Sequence, residues 1–257
     1  MDVILEISST HIVIIPSYNT GDLLKKTVLE ALQQWAPVWV VIDGSDDGSE
    51  QILSSLQDDY INQLKIIHCS KNSGKGAALL KGVGLALSAG FTHVLTMDAD
   101  YQHPAHFIPQ YMELSIHNPD AMILGEPIFE LSAPSLRVKG RRISNWWVNL
   151  ETLGWGINDS LFGMRVYPIN CFMKVMLSTS WARRFDFDPE IAVRMAWLGV
   201  PVINLPTPVR YILREDGGVS HFKYVRDNVL LTWMHIRLFL GFILCLPGLL
   251  LRNRLLK

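Results

Sequence analysis

The chain has 257 residues and a mass of 29.1 kDa, with 49% hydrophobic and 18% charged residues, mean hydropathy +0.21 and a formal net charge of −1. These values exclude a disordered or collagen-like polymer and a nucleic-acid binder held by bulk positive charge, and they sit on the apolar side for a soluble enzyme. Cys69, Cys171 and Cys245 are too few and too scattered for a disulfide framework or a zinc site, which favours a reducing compartment.

The first half alternates predicted strands and helices. His11–Ile15 is a short apolar run stopped by Pro16, a buried strand by its pattern, and a helix is expected over Leu23–Gln34 behind a cap at Thr20 or Asp22. Val38–Ile42 is a second strand, ended by the turn cluster Asp43–Gly48, with a helix from about Ser49. Leu64–Ile67 is a third strand, Gly74–Ala89 a helix of small residues, and His93–Met97 a fourth strand running into Asp98-Ala-Asp100. This rhythm predicts an α/β fold with a mostly parallel central sheet flanked by helices and right-handed crossovers. Ligands bind such sheets at the carboxyl ends of the strands. The clusters Pro16–Asn19, Asp43–Asp47, Asn72–Lys75 and Asp98–Asp100 all fall there.

The second half is less regular. It offers a basic and aromatic stretch, Arg137–Trp147, a strand-like Ser160–Tyr167, a helix around Pro189–Leu198, and an irregular Arg210–His221.

Three motifs carry chemistry. Asn72-Ser-Gly-Lys-Gly-Ala-Ala78 lacks the glycine and hydroxyl positions of a P-loop and the third glycine of a dinucleotide fingerprint. What remains is a glycine-rich helix start whose amides and Lys75 suit either a diphosphate or a plain tight turn. Asp43–Asp47 has Ser54 where a calcium loop needs glutamate, which excludes an EF-hand. Asp98 and Asp100 put two carboxylates at i and i+2 just past a strand, a costly repulsion unless a cation lies between them; Gln102 adds a third oxygen ligand. Hard oxygen ligands select Mg2+ or Mn2+.

Pro16-Ser-Tyr-Asn19, Ile42-Asp-Gly-Ser-Asp-Asp-Gly48, Asn72–Ala78 and Asp98-Ala-Asp-Tyr-Gln-His-Pro104 occur in order. Arg141-Arg-Ile-Ser144, Asp159–Arg165 and Asp188-Pro-Glu190 follow. Over residues 10–222 this resembles the family 2 glycosyltransferases of the GT-A fold, nearest to the polyprenyl-phosphate (dolichol-phosphate) mannosyltransferase branch. The resemblance implies transfer, with inversion, of a sugar from a GDP- or UDP-linked donor to a lipid-linked phosphate or hydroxyl acceptor. It implies that Pro16, Tyr18, Asn19, Asp43, Gly74, Lys75, Asp98 and Arg165 bind the sugar nucleotide, and that Asp98, Asp100 and Gln102 hold the divalent metal. Arg141, Arg142 and Glu190 would meet the acceptor, with Asp188, Asp100 and Arg214 catalytic. Asp188 is equally well placed to cap a helix starting at Pro189. A non-catalytic nucleotide-sugar or lipid-binding scaffold and a sugar-1-phosphate nucleotidyltransferase remain the competing readings.

The run Met1–Ile7 carries Asp2 and Glu6 and no basic stretch, so no signal peptide is expected. Val229–Leu251 is almost wholly apolar but interrupted by Thr232, His235 and Arg237; its clean part, Leu238–Leu251, is shorter than the roughly 20 residues of a perpendicular span. With Arg252, Arg254 and Lys257 behind it, and with the tryptophans and cations of Arg137–Trp147, it suits attachment to a membrane surface, peripheral or monotopic; the resemblance implies that this is the cytoplasmic face of a bacterial inner membrane. The expected division is a catalytic domain over residues 1–228 and a membrane-associating segment over 229–257, with the first folding without the second.

Overall fold

In the computed structural model residues 6–129, 135–210 and 224–255 are described. Seven strands form one sheet in the order β3-β2-β1-β4-β6-β5-β7. The expected half supplies β1 (His11–Ser17), α1 (Asp22–Leu32), β2 (Val38–Asp43), α2 (Ser49–Gln57), β3 (Leu64–Cys69), α3 (Lys75–Ser88) and β4 (His93–Thr96). Strands β1 and β2 are buried along their whole length, as parallel strands covered on both faces must be, which explains their unbroken apolar runs. In α3, Gly82 lies against Ile14 and Val41, where a Cβ would collide with the valine, so this small residue sets the close approach of helix to sheet.

The second half adds α4 (Ile108–His117), β5 (Met122–Ile128), α5 (Ser135–Glu151), β6 (Arg165–Pro168), α6 (Ile169–Leu177), α7 (Phe187–Trp197), β7 (Val202–Pro208) and α8 (Tyr224–Leu255). The strand expected over Ser160–Tyr167 is mostly loop. Asn145 Oδ1 accepts from the Ser160 amide and hydroxyl, and Asp159 accepts from the amides of Leu161 and Phe162, so strand pairing begins only at Arg165. Strand β6 runs antiparallel to β4 and β5; the other pairs are parallel. One apolar layer lies under α3, α6 and α7 and takes in Val148 of α5 and Met234 and Leu238 of α8; the other lies under α1 and α4.

The expected boundary at residue 228/229 falls inside α8, a few residues after its start. That helix is tied to the domain by buried polar contacts as well as by packing. His235 Nδ1 meets Glu151 at 3.0 Å and its Nε2 meets Ser144 at 3.1 Å. The Arg237 guanidinium forms a bidentate pair with Glu190 at 3.1 and 2.9 Å. Arg252 donates to the Ala196 carbonyl at 2.6 Å and stacks 3.6 Å from the Trp155 ring, closing the C-terminus of α7.

At the far end of the sheet, His11 stacks on His93 with ring centroids 4.4 Å apart. Burial, and secondarily the His93 charge, lowers the His11 pKa to about 4. An unfolded histidine titrates near 6.5, so the unfolded chain takes up the extra proton first as pH falls. The stability this neutral imidazole permits is therefore full above about pH 6.5 and is lost progressively toward pH 4. By pH 5 the loss is expected to be about 2 kcal/mol from this group alone. Urea midpoints of wild type and His11→Gln at pH 7 and pH 5 check it; the variant should show the smaller drop.

Candidate active site

The carboxyl ends of β1, β2, β3 and β4 lie on one edge of the sheet, and the strand order reverses between β1 and β4. That switch point opens a crevice. The loop after β1 is stapled to the loop after β2. Asn19, at a left-handed φ of 47°, donates from Nδ2 to Asp46 at 2.7 Å and accepts the Asp46 amide at 3.0 Å. Pro16 lies buried within β1 beside Val41, with Tyr18 half-buried above it.

Lys75 is the centre of the site. Its ammonium lies 2.7 Å from Asp98 Oδ1 and 2.7 Å from Asp188 Oδ2, joining α3, the loop after β4 and the first turn of α7. Burial alone would push the Asp98 carboxyl up, but the Lys75 ammonium beside it outweighs that and holds it below the usual range. Burial raises Asp188 despite Lys75, and among the described residues its buried Oδ1 finds no hydrogen-bond partner. Asp100 is pushed up to about 7 by burial and by the neighbouring Asp98 charge. His103 accepts the Asp98 amide at Nδ1, 3.0 Å, and burial lowers its pKa to about 4, so a neutral ring braces this loop. Gly163 abuts the Asp98 carboxylate; a Cβ there would overlap it, so only glycine lets the carboxylate lie where it does.

Three neighbouring carboxylates with one lysine leave an excess of negative charge. Among the described residues no three His, Cys, Asp or Glu side chains converge as metal ligands. Asp98 and Asp100 fit a hard cation that takes its remaining oxygens from a diphosphate, the usual arrangement for Mg2+.

Several expected contacts are engaged otherwise. Asp43, 2% exposed, accepts the amides of Ser73 and Gly74, the latter at 2.7 Å. The start of α3 is therefore closed by the chain's own carboxylate, and Gly74 and Gly76 give room to the backbone of Ala182–Arg184. Arg165 is wholly buried: Nε donates to the Phe162 carbonyl at 2.6 Å and Nη1 to the Asp188 carbonyl at 2.6 Å. It holds the start of α7 and lends charge to Asp98 and Asp188 from beneath rather than lying open in the cleft. Arg141 is paired with Asp159, while Arg142 is exposed. Glu190 is fully buried against Arg194 and Arg237, away from the cleft, because two residues along a helix turn it about 200° from Asp188. Arg214 lies outside the described residues.

A further cluster escaped the sequence reading. Tyr101, between Asp100 and Gln102, has φ 64° and donates its hydroxyl to Glu30. Glu30 accepts from Arg210 at 2.9 Å, Arg210 lies 4.9 Å over the Tyr101 ring, and the Arg210 amide donates to the Gln102 carbonyl at 3.0 Å. This ring of contacts fixes the backbone that presents Asp100. Only the tyrosine beside the aspartates was a local signal; its partners come from α1 and the residue pair after β7.

Residues 12–184 match the family model described as "Glycosyl transferase family 2". A polyprenol monophosphomannose synthase of Mycolicibacterium smegmatis is 28% identical over 221 residues, covering 80% of this chain and 78% of that protein. An undecaprenyl-phosphate mannosyltransferase of Micrococcus luteus is 26% identical over 254 residues, covering 89% and 98%. Among solved structures, glucosyl-3-phosphoglycerate synthase from Mycobacterium tuberculosis, described in complex with Mn2+, UDP and phosphoglyceric acid, superposes with a TM-score of 0.63 at 16% identity, covering 93% and 79%. The fold is thus of the GT-A class.

Proposed function

The chain belongs to glycosyl transferase family 2, and from that premise we propose that it transfers a sugar from a nucleoside-diphosphate donor to a lipid-linked phosphate at the cytoplasmic face of a membrane. The observation that carries this reading is the Lys75-bridged pair Asp98 and Asp188, with Asp100 beside it, at the switch point of the sheet. The acceptor class draws its support from the relatives, named for polyprenol and undecaprenyl phosphate.

A divalent cation bound by Asp98 and Asp100, with Gln102 nearby, would neutralise charge developing on the departing nucleoside diphosphate. Lys75 keeps Asp98 ionised and holds the Asp188 carboxylate by one oxygen. The other oxygen of Asp188 has no hydrogen-bond partner among the described residues, and we assign it the positioning or deprotonation of the acceptor. Attack on the sugar opposite the leaving diphosphate inverts the anomeric centre. Pro16, Tyr18 and Asn19 line the base-side edge, and exposed Arg142 offers a cation to an anionic acceptor.

Calorimetry with GDP and UDP, with and without Mn2+, tests the donor side: Asp100→Asn is expected to abolish the metal-dependent part of binding, and equal binding by both proteins would overturn the reading. Asp188→Asn discriminates between acceptors. With a phosphate, already an anion, turnover should fall by less than about 10-fold; with a hydroxyl acceptor it should fall by about 100-fold or more, the usual reach of a general base.

A further inference from the structure

Helix α8 is the one helix of the described chain long and apolar enough to cross a membrane by length and composition. Its contacts forbid that orientation. The face turned to the domain runs through Asp227, Leu231, Met234, Leu238 and Phe242 at three- and four-residue intervals, then through Leu249, two turns on, to Arg252. This docked stripe is about 37 Å long, more than the roughly 30 Å of a bilayer's hydrocarbon. Along it lie the pairs His235–Glu151 and Arg237–Glu190, then Arg252 on α7. A perpendicular α8 would carry these ionic contacts, and the domain behind them, into hydrocarbon, where charged groups are costly.

The opposite face is apolar, and no described residue covers it. It shows Val229, Trp233, Ile236, Leu240, Leu244 and Leu251, with Leu244 83% exposed. The surface continues onto neighbouring elements. Trp181 meets Trp233 edge-on at 6.4 Å, and Trp147 of α5 meets Phe239 at 5.9 Å, with exposed Trp146 against it. Ile143 and Leu150 extend the same exposed apolar character along α5. Exposed cations stand near it: Lys139 and Arg142 on α5, Arg226 and Arg254 near the ends of α8. A ridge of this length, apolar on its crest with tryptophans and cations around it, matches the boundary of an anionic bilayer.

We propose that α8 lies in the plane of an anionic membrane surface, with α5 beside it, so that the two helices form a monotopic platform on which the GT-A domain rests. This deepens the membrane attachment of the proposed function. It orients the domain by one whole side rather than tethering it through a flexible anchor.

Flotation of the full chain with sealed vesicles tests attachment, using phosphatidylethanolamine with phosphatidylglycerol against phosphatidylcholine alone. The expected result is at least tenfold greater binding to the anionic vesicles, and at least a tenfold loss in Leu240→Glu/Leu244→Glu with an unchanged unfolding midpoint. Orientation is read with single cysteines introduced by Arg226→Cys or Asn253→Cys in a chain whose three native cysteines are serine. Both should react with an impermeant maleimide added outside the vesicles. No flotation overturns the attachment itself. Flotation with one end protected leaves attachment standing and overturns the in-plane arrangement. Sedimentation as a dimer that the glutamate variant dissociates, without vesicle binding, assigns the face to a second copy and overturns both.

Discussion

Lys75→Met is expected to lower sugar transfer by about 100-fold or more, comparable to the loss of a general acid–base group, while Lys75→Arg retains a measurable fraction. The ammonium lies 2.7 Å from each of two carboxylates. Burial makes the charge left uncompensated when one partner of such a pair is removed costly. Without Lys75, Asp98 and Asp188 repel each other in a shielded site, and both carboxyl groups move up. The sign follows from that: the Lys75 charge favours the ionised forms, so its loss keeps them protonated to higher pH, and residual activity of the methionine variant should rise with pH more steeply than that of wild type. Turnover with a panel of sugar nucleotides and a polyprenyl phosphate, measured from pH 6 to pH 9, checks this. A methionine variant with wild-type turnover would remove Lys75 from the mechanism.

Removing α8 is expected to unfold the domain rather than to release it. Met234, Leu238, Phe242 and Leu249 are buried, each worth roughly 1.5–3 kcal/mol, against a total stability of about 5–15 kcal/mol for an ordinary domain. The polar contacts act in the same direction. Among the described residues, Arg237→Ala takes two of the three side-chain hydrogen bonds from fully buried Glu190, leaving that from Arg194. Breaking a buried pair by deleting one partner costs about 3–5 kcal/mol. Arg237→Met combined with Glu190→Gln should recover part of that cost, because the uncompensated charge is gone. Urea unfolding of the two variants, and of a chain ending at Asn228, checks both statements; a cooperative, wild-type midpoint for the shortened chain would show that α8 is dispensable.

The division between catalytic domain and anchor was drawn at residue 228/229 because composition changes there: polar before, apolar after. Hydropathy reads a side chain's character and not its neighbour. It cannot distinguish an apolar helix docked along one face from one wholly exposed to lipid, and His235, Arg237 and Arg252 looked like interruptions rather than attachment points. Their partners, Glu151, Glu190 and the end of α7, come from elsewhere in the chain.

The first half of the fold and the location of the cleft were legible in the amino-acid sequence. Apolar runs of strand length, glycine and aspartate turns, and helical periodicity are local signals, and β1 to β4 with α1 to α3 obey them. Asp98, Asp100 and Lys75 were legible as chemistry-bearing residues because the carboxylates follow a strand and the lysine leads a glycine-rich helix start; Asp188 entered through the family resemblance, with helix capping as its equal alternative. Only the tertiary structure decided which of them meet. The Lys75–Asp188 contact joins residues 113 positions apart, and no pattern in a single sequence encodes that distance. Tertiary structure also assigned Asp43 to the amides of Ser73 and Gly74, Arg165 to carbonyls beneath the site, and Glu190 to the far side of α7. A residue's type states what it can bind; the packing around it, through burial and the nearest opposite charge, selects the one partner it takes.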